Sequence, residues 1–259
     1  MALLAVSNLA KYFGPDEIFS EISFEVHQGD CVALVGVNVC GKSTLLYLLD
    51  GLRFPSAGRI LVDGQPVTRP RPRTGFIIQE YGLMPWATVQ ENAALGLRVR
   101  SFYGPDGTHA PKDAIISLDE DNQNVHGWLE RLGLSDQAEK YPHQLSGGQR
   151  QRTAIARTLA LKPDLLLMDE PFSSIDAPTR EGLQALTLEL YSEQNLTLVL
   201  ITHAIEEAAY IGQRILLLSR IPNTQAQVIE NPSAGSPGYR YSADYTALCR
   251  ELRQRMEAA

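Results

Sequence analysis

Apolar positions along the chain fall into two rhythms. Unbroken apolar runs at 31–35, 165–168 and 198–201, the last inside a strand expected at 197–202, have no polar alternation, as expected of strands buried on both faces. A further short run at 75–78 reads the same way. Elsewhere the apolar residues recur at helical spacing: 45–49, 126–132, and Ala154, Ile155, Leu159 and Ala160, with arginines on the opposite side and a stop at Pro163. A closing helix is expected over 243–256. Turn dipeptides Gly29-Asp30, Ala57-Gly58 and Asp63-Gly64 divide residues 5–67 into strands. From 80 to 145 the patterning is mostly helical, interrupted by a polar stretch at 101–124. That stretch carries the acidic run Asp119, Glu120, Asp121 and is expected to be a mobile surface excursion. From 145 to 218 helices alternate with Leu/Val-rich strands, the pattern of a parallel sheet covered on both faces. The tail after Arg220 holds Pro222, Asn231-Pro232 and a Gly/Pro turn at 235–238, and is too short for a separate regulatory domain.

Between the strand at 31–35 and the helix at 45–49 lies Gly36-Val37-Asn38-Val39-Cys40-Gly41-Lys42-Ser43-Thr44. Strand, glycine loop, Lys-Ser and helix is the arrangement that holds a nucleoside triphosphate. Backbone N–H groups must curl towards the phosphates, which favours glycine where backbone and ligand meet, and the helix adds its positive end. Lys42 is then placed to reach the terminal phosphates and the Ser43 hydroxyl to hold magnesium.

Two later segments narrow the class. Leu145-Ser146-Gly147-Gly148-Gln149 puts a serine where a helix N-cap belongs, with two glycines behind it. After one helix comes an apolar strand that ends in Asp169-Glu170-Pro171. A carboxylate there can accept a hydrogen bond from a water aimed at the γ-phosphorus.

This order of motifs resembles the ATPase subunit of ATP-binding-cassette transporters, over nearly the whole chain. The resemblance implies an α/β fold of the P-loop NTPase kind. It would be a single domain over 1–259, with a mostly parallel core sheet and an N-terminal antiparallel β subdomain. The core would span about 1–79 and 160–220, the α-helical subdomain about 80–159 and a short tail about 221–259. It implies ATP and Mg²⁺ as ligands. Residues 36–44 would bind ATP; Ser146, Gly147, Gly148 and Gln149 would form the signature segment; Asp169 would hold magnesium through water; and Glu170 would be the catalytic carboxylate. Gln79 resembles the glutamine that touches magnesium or the attacking water. His203 resembles the switch histidine, and Asp176 the aspartate that crosses to the partner. Phe13, or Tyr12 beside it, stands where the family places an aromatic against adenine.

In that family two subunits pack head to tail, so a second ATPase subunit is implied, identical or related. Ser146 and Gly148 of one would close over the ATP of the other. The longest apolar runs fall far short of a membrane helix, so transport would need separate membrane permease subunits. A short helix of such a subunit would dock in a groove lined by Tyr81, Leu83, Met84, Pro85 and Trp86. The segment from Gln79 to Trp86, with Thr88-Val89 and Asn92, is similar to the nitrate, sulfonate, taurine and bicarbonate importers. Those imply a small anion as solute and an extracytoplasmic solute-binding protein in the same system.

Composition adds restrictions. A net charge of −7 argues against a general pull towards nucleic acid. Three cysteines, Cys31, Cys40 and Cys249, lie at unrelated spacing and give no metal site or disulfide framework. The N-terminal residues lack the pattern of a signal peptide. The expected location is the cytoplasm, at the inner face of the cell membrane. Cys40, near a helix N-terminus, is expected to be a reactive thiol. Two departures from the family pattern stand out: Val39 where glycine is usual, and Ala204 where an aspartate often follows the histidine. The competing readings are a cassette ATPase acting on a soluble partner, and a degenerate cassette that binds ATP without turnover.

Overall fold

The computed structural model describes residues 2–36, 40–104, 109, 111, 117–218 and 227–258. In chain order the strands are β1 (Ala2–Phe13), β2 (Asp16–His27), β3 (Cys31–Gly36), β4 (Ala57–Val62), β5 (Gln65–Pro66), β6 (Thr74–Ile77), β7 (Leu165–Asp169), β8 (Thr197–Thr202), β9 (Arg214–Leu218) and β10 (Gln227–Glu230). The helices are α1 (Lys42–Asp50), α2 (Val89–Tyr103), α3 (Leu118–Arg131), α4 (Gly147–Leu159), α5 (Ala177–Glu193), α6 (Ile205–Ile211) and α7 (Ala243–Ala258). They fall into two compact units, Met1–Pro70 with Leu188–Ala259, and Arg71–Thr187.

In the first unit the antiparallel sheet runs β2-β1-β4-β5. Its strands bury one face: Leu4, Val6, Ile22, Phe24, Val26, Ile60 and Val62 point inwards, at the period-two spacing that sets register. Pro66 closes this sheet at its outer strand, where a missing N–H does no harm. β3 is buried at every residue, and lies parallel to β8 on one side and β9 on the other. Such a strand cannot alternate polar and apolar positions, hence its continuous apolar run. A Cβ added at Gly212 would come within 2.6 Å of the Ala33 side chain, so the turn after α6 sits directly on β3. β10 adds an antiparallel edge to β9.

In the second unit β6 and β7 pair in parallel, Thr74 opposite Leu165 through Ile77 opposite Met168. Helices α2, α3 and α4 pack on one another, and α4 packs on β6. That last contact is tight: a Cβ on Gly75 would lie 2.4 Å from Thr158 Cγ2. α5 begins in this unit and ends in the first.

The polar stretch at 101–124 is not one excursion. Its first residues finish α2, and Ser117 caps α3 by accepting the Glu120 N–H. Asp119, Glu120 and Asp121 therefore form the first turn of a helix, where carboxylates complement the positive end of the helix dipole. Residues 105–108, 110 and 112–116 lie outside the described chain, as do Arg220 and Pro222.

Candidate nucleotide site

In the first unit β3 delivers the chain to the candidate phosphate loop. Its middle, Val37, Asn38 and Val39, lies outside the described residues, and the conformation at Val39 with it. The two ends are well defined. Gly41 has φ of 90°, a region that favours glycine, and a Cβ there would strike Ile18 Cγ2 at 2.5 Å. At Gly36 a Cβ would lie 2.7 Å from the Leu218 carbonyl oxygen and 2.8 Å from Cys40 Sγ. Both glycines are thus required by space, and Gly41 by its backbone conformation as well.

α1 starts at Lys42 with no side-chain cap and no acidic residue in its first turn, so its N-terminal N–H groups keep their attraction for an anion. Lys42 is buried, and its Nζ donates to the Gly36 carbonyl at 2.9 Å, folding across the loop. Ser43 is exposed and Thr44 half-buried. Cys40 does not match the expected reactive thiol. It is 1% exposed, and burial pushes its thiol up by more than the Lys42 charge pulls it down.

His203 follows β8 and is exposed. The Ala204 N–H donates to Thr202 Oγ1 at 3.0 Å, so a hydroxyl two residues back ties the start of α6, which has no side-chain cap of its own. Glu206 and Glu207 in the first turn of α6 supply the negative charge that Ala204 lacks. Phe13 and Tyr12 at the end of β1 are each 40% exposed. Lys11 Nζ and Arg53 Cζ lie 5.0 and 5.3 Å from the Phe13 ring centroid, which singles out Phe13 of the two as a cation-flanked aromatic face.

In the second unit β7 ends at Asp169, buried at 3% exposure, and the next residue turns sharply. Glu170 has φ of 45°, a left-handed conformation uncommon for a residue with a side chain. The turn brings Ser173 back, and its hydroxyl donates to the Glu170 carbonyl at 3.0 Å. Gln79, just beyond β6, donates from Nε2 to Glu170 Oε2 at 3.3 Å. Two strands that pair in parallel thus bring together the glutamine and glutamate that the sequence separates.

The signature segment forms a closed N-cap. The Gln149 N–H donates to Ser146 Oγ at 3.2 Å, and the Ser146 N–H donates to Gln149 Oε1 at 2.9 Å. Ser146 itself stays exposed while Gly148 is buried, and a Cβ on Gly148 would lie 2.6 Å from Thr179 Cγ2. Asp176 accepts the Thr179 N–H at 3.2 Å, and the Thr179 side chain, then this backbone bond, hold its carboxyl below the usual carboxylate range. A cleft of about 410 Å³ opens beside Gln79, Glu80, Leu83, Arg150 and Ser173. Of the residues expected to line a docking groove, Trp86 is 75% exposed but Tyr81 is buried, with its hydroxyl on Ser174.

Two features here escape motif reading, and one that was readable was missed. The left-handed turn at Glu170 and the hydroxyl contact of Tyr81 with Ser174 are both tertiary. The glutamine half of the capping box was open to inspection, as a Ser followed three residues later by Gln.

The family description "ABC transporter" matches residues 19–173. An aliphatic sulfonates import ATP-binding protein of Bacillus cereus is 35% identical over 98% of this chain and 96% of its own length. A nitrate import ATP-binding protein of Synechococcus elongatus is 36% identical over 85% of this chain and 76% of its own. The dimeric post-hydrolysis structure of an ATP-binding cassette bound to ADP and Pi superposes with a TM-score of 0.73. It is 28% identical and covers 88% of this chain and 98% of that one. The match over residues 19–173 and the identity to these import proteins along most of the sequence show that this chain belongs to the ABC transporter ATPase family.

Proposed function

We propose that this chain is the ATP-hydrolysing subunit of an importer for a small anion, of the sulfonate or nitrate type that its relatives' names describe. It acts as one ATPase domain, paired head to tail with a second copy or a related chain. It works at the inner face of the membrane on separate permease subunits, together with an extracytoplasmic solute-binding protein. Among the described residues no helix is long and apolar enough to cross a membrane.

ATP lies on the phosphate loop of one subunit, with its adenine against Phe13. Lys42 exchanges the Gly36 carbonyl for phosphate oxygens, and Ser146 and Gly148 of the partner close over the nucleotide. Glu170 accepts a hydrogen bond from the attacking water and takes its proton. Gln79 orients the same water, and His203 contacts the γ-phosphate.

Magnesium fits the donor set. Among the described residues no cluster of three or more His, Cys, Asp or Glu forms a metal cage. One carboxylate, one hydroxyl and one amide, from Asp169, Ser43 and Gln79, suit an ion whose shell is completed by water and substrate phosphates. When bound, it would neutralise charge on the terminal phosphates.

The observation that carries this reading is the Gln79–Glu170 contact next to the buried Asp169. The test is Mg²⁺-dependent ATP hydrolysis by the purified chain, followed by co-purification from native membranes. Hydrolysis together with a polytopic membrane protein supports the importer reading. Binding to RNA or DNA at physiological salt supports a soluble partner, and ATP binding without turnover supports a degenerate cassette.

A further inference from the structure

Just after Gln79 the backbone makes a tight turn. The Tyr81 N–H donates to the Ile78 carbonyl at 2.9 Å and the Gly82 N–H to the Glu80 carbonyl at 2.7 Å. Tyr81 and Gly82 have φ of 65° and 60°. Two successive left-handed residues, the first of them a tyrosine, persist only where the surroundings hold them. Here they are held from two directions. Arg157 of α4 donates to the Tyr81 carbonyl at 2.7 Å and to the Gly82 carbonyl at 2.6 Å. The Tyr81 hydroxyl meets Ser174 Oγ at 2.6 Å, in the loop that runs from Glu170 to Asp176. Arg150, also of α4, stands 5.9 Å from the Tyr81 ring centroid.

We infer that Tyr81 is a positioning residue for ATP hydrolysis, locking the Gln79 segment to the signature helix and to the loop after Glu170. This rests on the roles of Gln79 and Glu170 given above. The ring is 7% exposed, whereas Ser174 is open to water. The serine therefore does not need the tyrosine to satisfy its hydroxyl. The bond instead fixes the distance between two loops whose other ends meet at the Gln79–Glu170 contact. With the hydroxyl gone, the ring still fills its place, but the two loops can move independently and the in-line geometry of water and carboxylate loosens.

The test is a double-mutant cycle on the full chain with Tyr81→Phe and Ser174→Ala. Because Ser174 is exposed, its replacement does not threaten the fold. Each single variant is expected to lower kcat roughly fivefold to twentyfold, with KM for ATP changed by less than about twofold and an unaltered thermal midpoint. The double variant is expected to be no slower than either single one. Wild-type kcat in Tyr81→Phe, or losses that multiply in the double variant, would overturn the inference. Wild-type turnover and the Glu170→Gln variant measured alongside separate the two claims. An active wild type with multiplying losses overturns only the role of Tyr81. A wild type without hydrolysis overturns the ATPase assignment as well.

Discussion

At the scale of single residues, Glu170 and Asp50 are carboxylates put to opposite uses. Glu170 is half-exposed, held in a left-handed turn and touched by Gln79. Glu170→Gln keeps the size and the contact but loses the proton acceptor. Turnover is expected to drop by roughly 10²–10⁴ while ATP affinity stays near wild type, as read from steady-state hydrolysis beside equilibrium nucleotide binding. Asp50 ends α1 at 6% exposure, beside the negative end of its own helix. Burial pushes its pKa from 3.8 to about 7. Between those values the folded chain holds a proton that the unfolded chain has released, so this residue's contribution to stability falls as pH rises, and levels off above about 7. Asp50→Asn is expected to be more stable than wild type by roughly 2–4 kcal/mol at pH 8, with the difference vanishing below the unfolded pKa. Urea unfolding at several pH values measures it; a difference independent of pH would mean that Asp50 is not protonated in the folded chain.

At the scale of elements, the turn ahead of α2 shows what one buried polar residue organises. Asn92 is 0% exposed and accepts the Met84 N–H at 2.7 Å, while its amide donates to the carbonyls of Met84, Ala87 and Thr88. The Thr88–Glu91 capping box closes the same helix start. Asn92→Ala would strand several backbone groups in a buried turn, so a loss of about 2–4 kcal/mol is expected in chemical denaturation. Trp86 fluorescence should report the loosened turn. Asn92 stood out in the sequence as part of a pattern shared with an importer group; its physical role needed the structure. The strands β3, β7 and β8 were legible because burial on both faces leaves continuous apolar runs at Cys31, Leu165 and Leu198 onwards. The phosphate-loop glycines and the Ser146 cap were legible because local backbone geometry selects those residue types. What was not legible arises at a distance. The acidic run from Asp119 looked like solvent-exposed loop because its helix is announced only by Ser117. The high thiol pKa of Cys40 depends on neighbours that bury it, so proximity to a helix start misled.

At the scale of the whole molecule, the proposed pairing of two chains rests on the start of α4. Ser146 is exposed at the start of α4, its hydroxyl already engaged in a cap. In the proposed head-to-tail pair this helix end, with its cap intact, meets the ATP of the other subunit, and the dipole of α4 favours the phosphate charge. ATP should then favour the paired state over the free one, and a ligand shifts such an equilibrium only by its difference in affinity for the two. Slow hydrolysis is the means of seeing it. Glu170→Gln with Mg-ATP is expected to sediment as a dimer at micromolar concentration, and to return to monomer with ADP. Lys42→Ala in the same background removes the main phosphate contact and is expected to remain monomeric with ATP. Dimerisation indifferent to nucleotide would mean that ATP is not the interfacial ligand. Glu170→Gln that stays monomeric with ATP at saturating concentration would place the pairing under control of the membrane subunits, with the isolated chain unable to close alone.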